Sequence, residues 1–347
     1  MTCTKRPWGT TSNGEAVDCY TLDNGTISVE ILTYGGVIRS VRVPDKNGDI
    51  TDVVLGFDDL AAYEAQDKYI GALIGRHGNR IEGSKFTLDG KTYHLYNNDG
   101  RNNLHGGKIG FDRHVWDAEP TENGLKLSLF SPDGEEGFPG NLTVCVTYSL
   151  TENNGLSIHY QASTDAPTVC NLTNHSYFNL AGHSSCNILS QQIQLNADRY
   201  TPGNDECLPN GTIAPVDGTP MDLRQLTVIG AHIEDDFEQL KFAGGYDHNW
   251  VINGTPGTMR CAANAYCAET GIHMTVKTTS HGIQFYTGNF LAGCPAGKDG
   301  APYDFRAGFC LETQYYPNAL CHPAFPQPII TPEHGFDDTT VYEFSVD

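Results

Sequence analysis

Basic residues are scarce in this sequence. Lys and Arg number 21 against 42 Asp and Glu, a formal net charge of −21, and only 18% of the 347 residues are charged at all. So acidic a chain repels phosphate polyanions at long range, and no cluster of more than two neighbouring basic residues interrupts that field, so nucleic acid is not an expected partner. Apolar runs are short as well. None approaches the ~20 residues of a membrane span, and Lys5 and Arg6 are not followed by the apolar stretch of a signal peptide. The expectation is a soluble, cytoplasmic protein. Also missing are a CxxC pair, GxxxxGK[ST], a GxGxxG between strand and helix, HExxH and GxSxG, which argues against a structural zinc, a nucleotide loop, a zincin and a hydrolase elbow. No cofactor and no metal are expected. The 11 cysteines are odd in number, and Cys145 and Cys310 sit in apolar runs where the residue acts as a small hydrophobe, so reduced thiols are expected.

What the chain does contain is a period of two. Leu142, Val144, Val146, Tyr148 and Leu150 alternate with polar neighbours, as do Leu156, Ile158, Tyr160 and Ala162, and Thr151 to Gly155 between them reads as a hairpin turn. Similar runs occur at 27–32, 37–43, 125–130, 192–196, 250–252, 274–278 and 282–286. Only 58–69 reads as a clear helix, capped by Asp58, with short helical turns expected near 222–226 and 234–240. Many short strands, 38 Gly, 18 Pro and no repeat or linker predict an all-β fold, a large antiparallel β-sandwich with few short helices, as a single domain over residues 1–347.

Four polar clusters stand out against this background. Gly75 to Ile81 and Asn102 to Gly107 place Arg80 and His105 beside glycines, where a ligand can approach the backbone. In Thr173 to Leu180, a continuous strand would put His175, Tyr177 and Asn179 on one face. Tyr246 to Trp250 supplies Asp247 and a ring that could stack on a ligand. Glu312 lies in a strand-like run after Phe309, where a carboxylate must be paired or shift its pKa upward, unless the strand is an edge and the side chain faces water.

In order and in context these clusters resemble the motif series of the aldose 1-epimerases, also called galactose mutarotases. The resemblance spans nearly the whole chain and rests on GRHGNRI, NNLHGG, GEEGFPG, NHSYFNLAG, YDHNW, YTGNFLAG and LETQYYPNA. It implies a galactose-mutarotase-type supersandwich with an aldose across one concave face. It further implies Glu312 as general base, His175 as general acid, His105 near the ring oxygen, and Asn79, Arg80 and Asp247 on sugar hydroxyls; the apolar side of a sugar could in addition stack on an aromatic face such as Trp250 or Tyr177. His77-Gly78 and Cys321-His322 depart from the commonest family pattern, which bears on substrate preference more than on reaction type.

The chemistry fits those residue types. A pyranose changes anomer when the C1 hydroxyl loses a proton, the C1–O5 bond breaks and O5 gains a proton, so one base and one acid suffice. An imidazole titrates near neutrality and suits the acid. Two rival readings share the pocket: an epimerase of hexose 6-phosphates, which would favour an added basic cluster, and a non-catalytic sugar-binding protein. The expected partner is a small-molecule aldose, and the sequence leaves monomer or homodimer open.

Overall fold

The alternating segments pair as their periodicity predicts, and the computed structural model describes residues 1–347 as three antiparallel sheets with small ribbons between them. The largest has nine strands in the order Asp117–Thr121, Gly124–Ser131, Leu142–Leu150, Gly155–Thr164, Phe336–Val346, Ile272–Thr278, Arg260–Cys267, Gln192–Leu195 and Thr227–Val228. The expected hairpin is there: Leu142 faces Thr164 and Leu150 faces Leu156 across the ladder. A six-stranded sheet runs Tyr177–Phe178, Phe309–Gln314, Gly282–Tyr286, Asp247–Val251, Arg199–Thr201 and Ala214–Pro215. The first 52 residues form a five-stranded meander, from Thr2–Thr10 to Ile50–Asp52.

Alternation along each strand decides what is buried against what. Val144, Val146 and Tyr148 of the large sheet, Trp250, Ile283, Phe285, Phe309 and Leu311 of the six-stranded sheet, and Leu22, Val29 and Ile31 of the meander join one apolar core. The other face of the six-stranded sheet is left to Asp247, Gln284, Tyr286, Cys310 and Glu312. That division places the site.

Helix is as sparse as expected but lies elsewhere in detail. The segment 58–69 is helical only over Leu60–Ala65, and Asp59, not Asp58, caps it by accepting the Ala62 N–H at 2.8 Å. Asp58 is drawn away instead, pairing with Arg39 at 2.9 Å and accepting the Asp299 N–H at 2.7 Å. The turn expected at 222–226 is not helical, because both carboxylate oxygens of Asp222 are taken by the Arg224 side chain at 2.8 and 2.6 Å. The second short helix is Glu238–Ala243, later than the expected 234–240. No helix is long and apolar enough to cross a membrane. All eleven cysteines are unpaired.

Candidate active site

Register across the six-stranded sheet builds the floor of a pocket. Asp247 lies opposite Tyr286, Tyr286 opposite Cys310, and Cys310 opposite Tyr177. Two residues along, Asn249 lies opposite Gln284, and Gln284 opposite Glu312. Residues two apart on a strand share a face, so these two rows lie side by side. Gln284 donates to Asp247 at 2.6 Å and accepts from Gln314 at 3.3 Å, which fixes its amide.

Loops supply the walls. Arg80–Ile81 pairs with Asn103–Leu104, and from this short ribbon the Asn79 N–H donates to His105 Nδ1 at 3.1 Å while the His105 N–H donates to the Asn79 carbonyl at 3.2 Å. Asn79, His105 and the nearby Tyr69 all hold left-handed backbone, with φ of 63°, 53° and 57°. Non-glycine residues take that region at a cost, and they cluster at functional sites. Gly106 explains part of the HGG motif: a Cβ there would meet the Gly75 carbonyl oxygen at 2.0 Å. His175 arrives from the short strand Thr173–Asn174, which pairs with Leu73–Ile74.

The resulting cavity of about 370 Å³ is lined by Asp67, Lys68, Tyr69, Asn79, Arg80, Asn98, Asp99, Leu104, His105, His175, Tyr177, Asp247, Tyr286, Phe290 and Glu312. That is toward the small end of the roughly 300–1,000 Å³ of ligand pockets. All seven residues expected from the sequence, Asn79, Arg80, His105, His175, Tyr177, Asp247 and Glu312, meet here. Two expectations fail, and the alternative left open for Glu312 is excluded. Asn179 does not join His175 and Tyr177, because the strand is broken between 174 and 177; its amide donates to the Ala307 carbonyl at 2.9 Å and its oxygen accepts from Gln191 at 2.7 Å. Trp250 is fully buried in the core, where its indole N–H donates to the Met221 carbonyl at 3.1 Å. Glu312 is no edge residue facing water, being 2% exposed. His77, Cys321 and His322 stay outside the cavity: His77 is fully buried beside Asn171, and His322 packs on Pro209.

Sequence reasoning missed Tyr69, Asn98, Asp99, Tyr286 and the supporting Gln284. The Tyr69 ring lies 4.6 Å from that of His105 and 5.9 Å from that of His175. The two imidazoles meet edge to face, with centroids 5.1 Å apart.

Electrostatics single out one pair. His175 Nε2 lies 3.8 Å from Glu312 Oε1, and Glu312 Oε2 is buried with no hydrogen-bond partner. Burial, reinforced by Asp247 and opposed by Arg80, pushes the Glu312 carboxyl well above its ordinary range. Burial alone pushes His175 down to about 4. Groups so close titrate as a pair, and the two shifts together keep one proton shared between them over a wide pH span. Burial works against the Arg80 charge, but Asp247 and Asp99 outweigh it and hold the guanidinium above its usual value. Asp247 is raised by burial, with Arg80 opposing.

The ligating atoms of His105, His175 and Glu312 lie within 4.8 Å of one another, close enough for a metal ion. The His105 tautomer argues against it. A ring nitrogen that accepts the Asn79 N–H carries no proton, so the proton of the neutral ring sits on Nε2, which then donates a hydrogen bond and cannot ligate. Burial, with His175 and Arg80 adding to it, keeps His105 neutral by lowering its pKa well below 6.5.

The β-sandwich thus gathers a buried carboxyl and an imidazole in a small polar cavity, an arrangement suited to proton transfer. The particular family follows from comparison with known proteins. The aldose 1-epimerase family model matches residues 18–343. Human galactose mutarotase is 43% identical over 335 residues, covering 96% of each chain. The aldose 1-epimerase of Escherichia coli (strain K12) is 35% identical over 325 residues, covering 93% of each. The crystal structure of galactose 1-epimerase from Lactobacillus acidophilus NCFM superposes with a TM-score of 0.87 at 27% identity, covering 100% of this chain and 99% of that one. The chain belongs to the aldose 1-epimerase family; it is a carbohydrate isomerase, and its function is mutarotation.

Proposed function

We propose that the protein interconverts the α and β anomers of free aldohexoses such as galactose and glucose, with Glu312 as general base and His175 as general acid. The observation that carries this reading is the buried, unpartnered Oε2 of Glu312 beside His175. An oxygen left without a protein partner at such depth costs stability unless a ligand supplies a donor. The C1 hydroxyl is that donor.

Burial favours a neutral carboxylic acid beside a neutral imidazole in the protein alone; in the reactive form, reached when the C1 hydroxyl donates to Glu312, the pair's single proton sits on His175 as an ion pair. Glu312 takes the C1 hydroxyl proton, the C1–O5 bond breaks, and His175 gives its proton to O5. This leaves the open-chain aldehyde beside a neutral carboxylic acid and a neutral imidazole, the form that burial favours. Rotation about C1–C2 turns the other carbonyl face to O5, and the protons return along the same routes. His105 contributes a neutral Nε2–H donor near the ring oxygen. Arg80 and Asn79 donate to, and Asp247 accepts from, the remaining hydroxyls, which keeps the open chain from leaving. Tyr177 and Tyr286 offer ring faces, held by the Tyr177 hydroxyl donating to the Lys68 carbonyl at 3.0 Å and the Tyr286 hydroxyl accepting the Phe290 N–H at 2.9 Å.

Residues 67 to 312 of one chain complete the pocket, which supports residues 1–347 working as one unit, as monomer or homodimer; the proposed setting is the cytoplasm and the proposed partner a small-molecule aldose. Proton NMR of freshly dissolved α-D-glucose and α-D-galactose tests the reading. Wild type should speed anomeric equilibration, and Glu312→Gln should be slower by at least ~10²-fold. Near-normal turnover in the variant would remove Glu312 from the role of base.

A further inference from the structure

The charges around the cavity are unusually well matched. Arg80 Nε lies 2.7 Å from Asp99 Oδ2, and Lys68 Nζ lies 3.0 Å from Asp67 Oδ1, so each cation that reaches the cavity already faces a carboxylate at its mouth. Asp247 adds a further carboxylate whose strongest contact is an amide, Gln284. Glu312 and His175 share one proton and carry no net charge between them. The cavity is therefore left negative, by about the charge of Asp247.

Asp99 is held as firmly as a strand residue. The 98–102 loop closes on itself through Asp99 N–H to the Asn102 carbonyl at 3.1 Å and Asn102 N–H to the Asp99 carbonyl at 2.8 Å. Asn98 ties it to the HGG segment, donating to the carbonyls of Leu104 at 2.8 Å and Gly107 at 3.0 Å and accepting the Leu104 N–H at 2.8 Å. A carboxylate fixed at the mouth does two things. It occupies the Nε edge of Arg80, leaving the terminal nitrogens for sugar hydroxyls, and it cancels the charge that would otherwise attract an anion.

From this arrangement we infer that Asp99 is a specificity-determining residue that confines the site to uncharged aldoses and turns away aldoses bearing a carboxylate or a phosphate. The inference rests on the reading of the cavity as an aldose site. It gives the scarcity of basic residues a local counterpart, because neither cation here is free to receive an anionic group.

The test is kcat/KM for mutarotation of D-glucose and of D-glucuronate at neutral pH and low ionic strength, for wild type, Asp99→Asn and Asp99→Lys. Removing one charge within several ångströms of a substrate anion should raise the glucuronate-to-glucose ratio roughly tenfold in Asp99→Asn, and further in Asp99→Lys. Added salt should shrink the difference between wild type and the variants. A merely structural Asp99 would lower both substrates together and leave the ratio unchanged, which overturns the inference while leaving mutarotation intact. A wild type inactive on glucose overturns the reading of the cavity, and this inference with it.

Discussion

Two buried charged clusters in this molecule differ in a way that separates structure from chemistry. Around Lys298, which is 3% exposed, every donor is used: Nζ bonds the carbonyls of Arg39 and Val54 at 2.9 Å each and the carboxylate of Asp52 at 2.6 Å. Asp52 in turn accepts from the Ser40 hydroxyl and the Val41 N–H. Around Glu312, equally buried, one oxygen has no partner and the other has only His175 at 3.8 Å. Burial costs both clusters desolvation. The first recovers it within the fold, and the second leaves it unrecovered in the protein alone. Lys298, fully satisfied, belongs to the scaffold, whereas the unsatisfied carboxyl of Glu312 opens on the cavity.

The comparison can be broken first by exchanging the effects. Glu312→Gln should cost at least ~10²-fold in rate with little change in stability, whereas Lys298→Met should leave turnover per folded molecule intact but strand Asp52, costing about 3–5 kcal/mol in urea unfolding. A stable, inactive Lys298→Met would reverse the distinction.

The next effect is on acid stability. His77, His248 and His281, like His175, are pushed by burial from 6.5 to about 4, and both ring nitrogens of His77 lack partners. A lowered folded pKa means that the unfolded chain binds more protons, so this contribution is complete above pH 6.5 and is lost as pH falls through about 4. Urea midpoints at pH 7, 5.5 and 4.5 should decline in that order. A flat series would mean that these rings are not held neutral by the fold.

The smallest expected effect sharpens the account of His175. Cys310 Sγ lies 3.5 Å from His175 Nδ1, and burial first, then Glu312, keeps this thiol well above its ordinary pKa and so protonated. The sulfur donates to Nδ1 of the neutral ring and accepts from it once the ring is protonated, which in either form keeps Nε2 facing Glu312. Cys310→Ala should lower kcat roughly threefold to tenfold, the weight of one modest hydrogen bond, with KM little changed. A change in KM alone would assign the thiol to packing.

Much of this was legible in the sequence because both the sheets and the chemistry are local signals. Period two marked the strands, glycines marked the loops of Arg80 and His105, a polar run marked His175, a carboxylate in an apolar run marked Glu312, and the family resemblance joined these with Asp247 into one site. What stayed hidden depends on register between strands. Gln284 and Tyr286 belong to a strand correctly expected over Gly282–Tyr286, but nothing within that run says that they lie opposite Glu312 and Cys310. Strand phase explains Trp250: with the strand starting at Asp247, residues 247, 249 and 251 share one face and Trp250 takes the other. Tyr69 was masked by helix-forming neighbours; the helix stops at Ala65, and Gln66 bends the chain by accepting the Lys68 N–H at 2.6 Å, which brings Lys68 and Tyr69 to the cavity. Asp99 sits in a stretch of Asn, Asp and Gly whose composition reads as ordinary turn chemistry.

The most direct measurement is the urea unfolding midpoint of Glu312→Gln beside wild type at pH 7, without sugar. If Glu312 is held in the fold at a cost, for the sake of the substrate, the variant unfolds at the same or higher urea concentration. A midpoint clearly below that of wild type would make Glu312 a structural carboxylate like Asp52 and contradict the account.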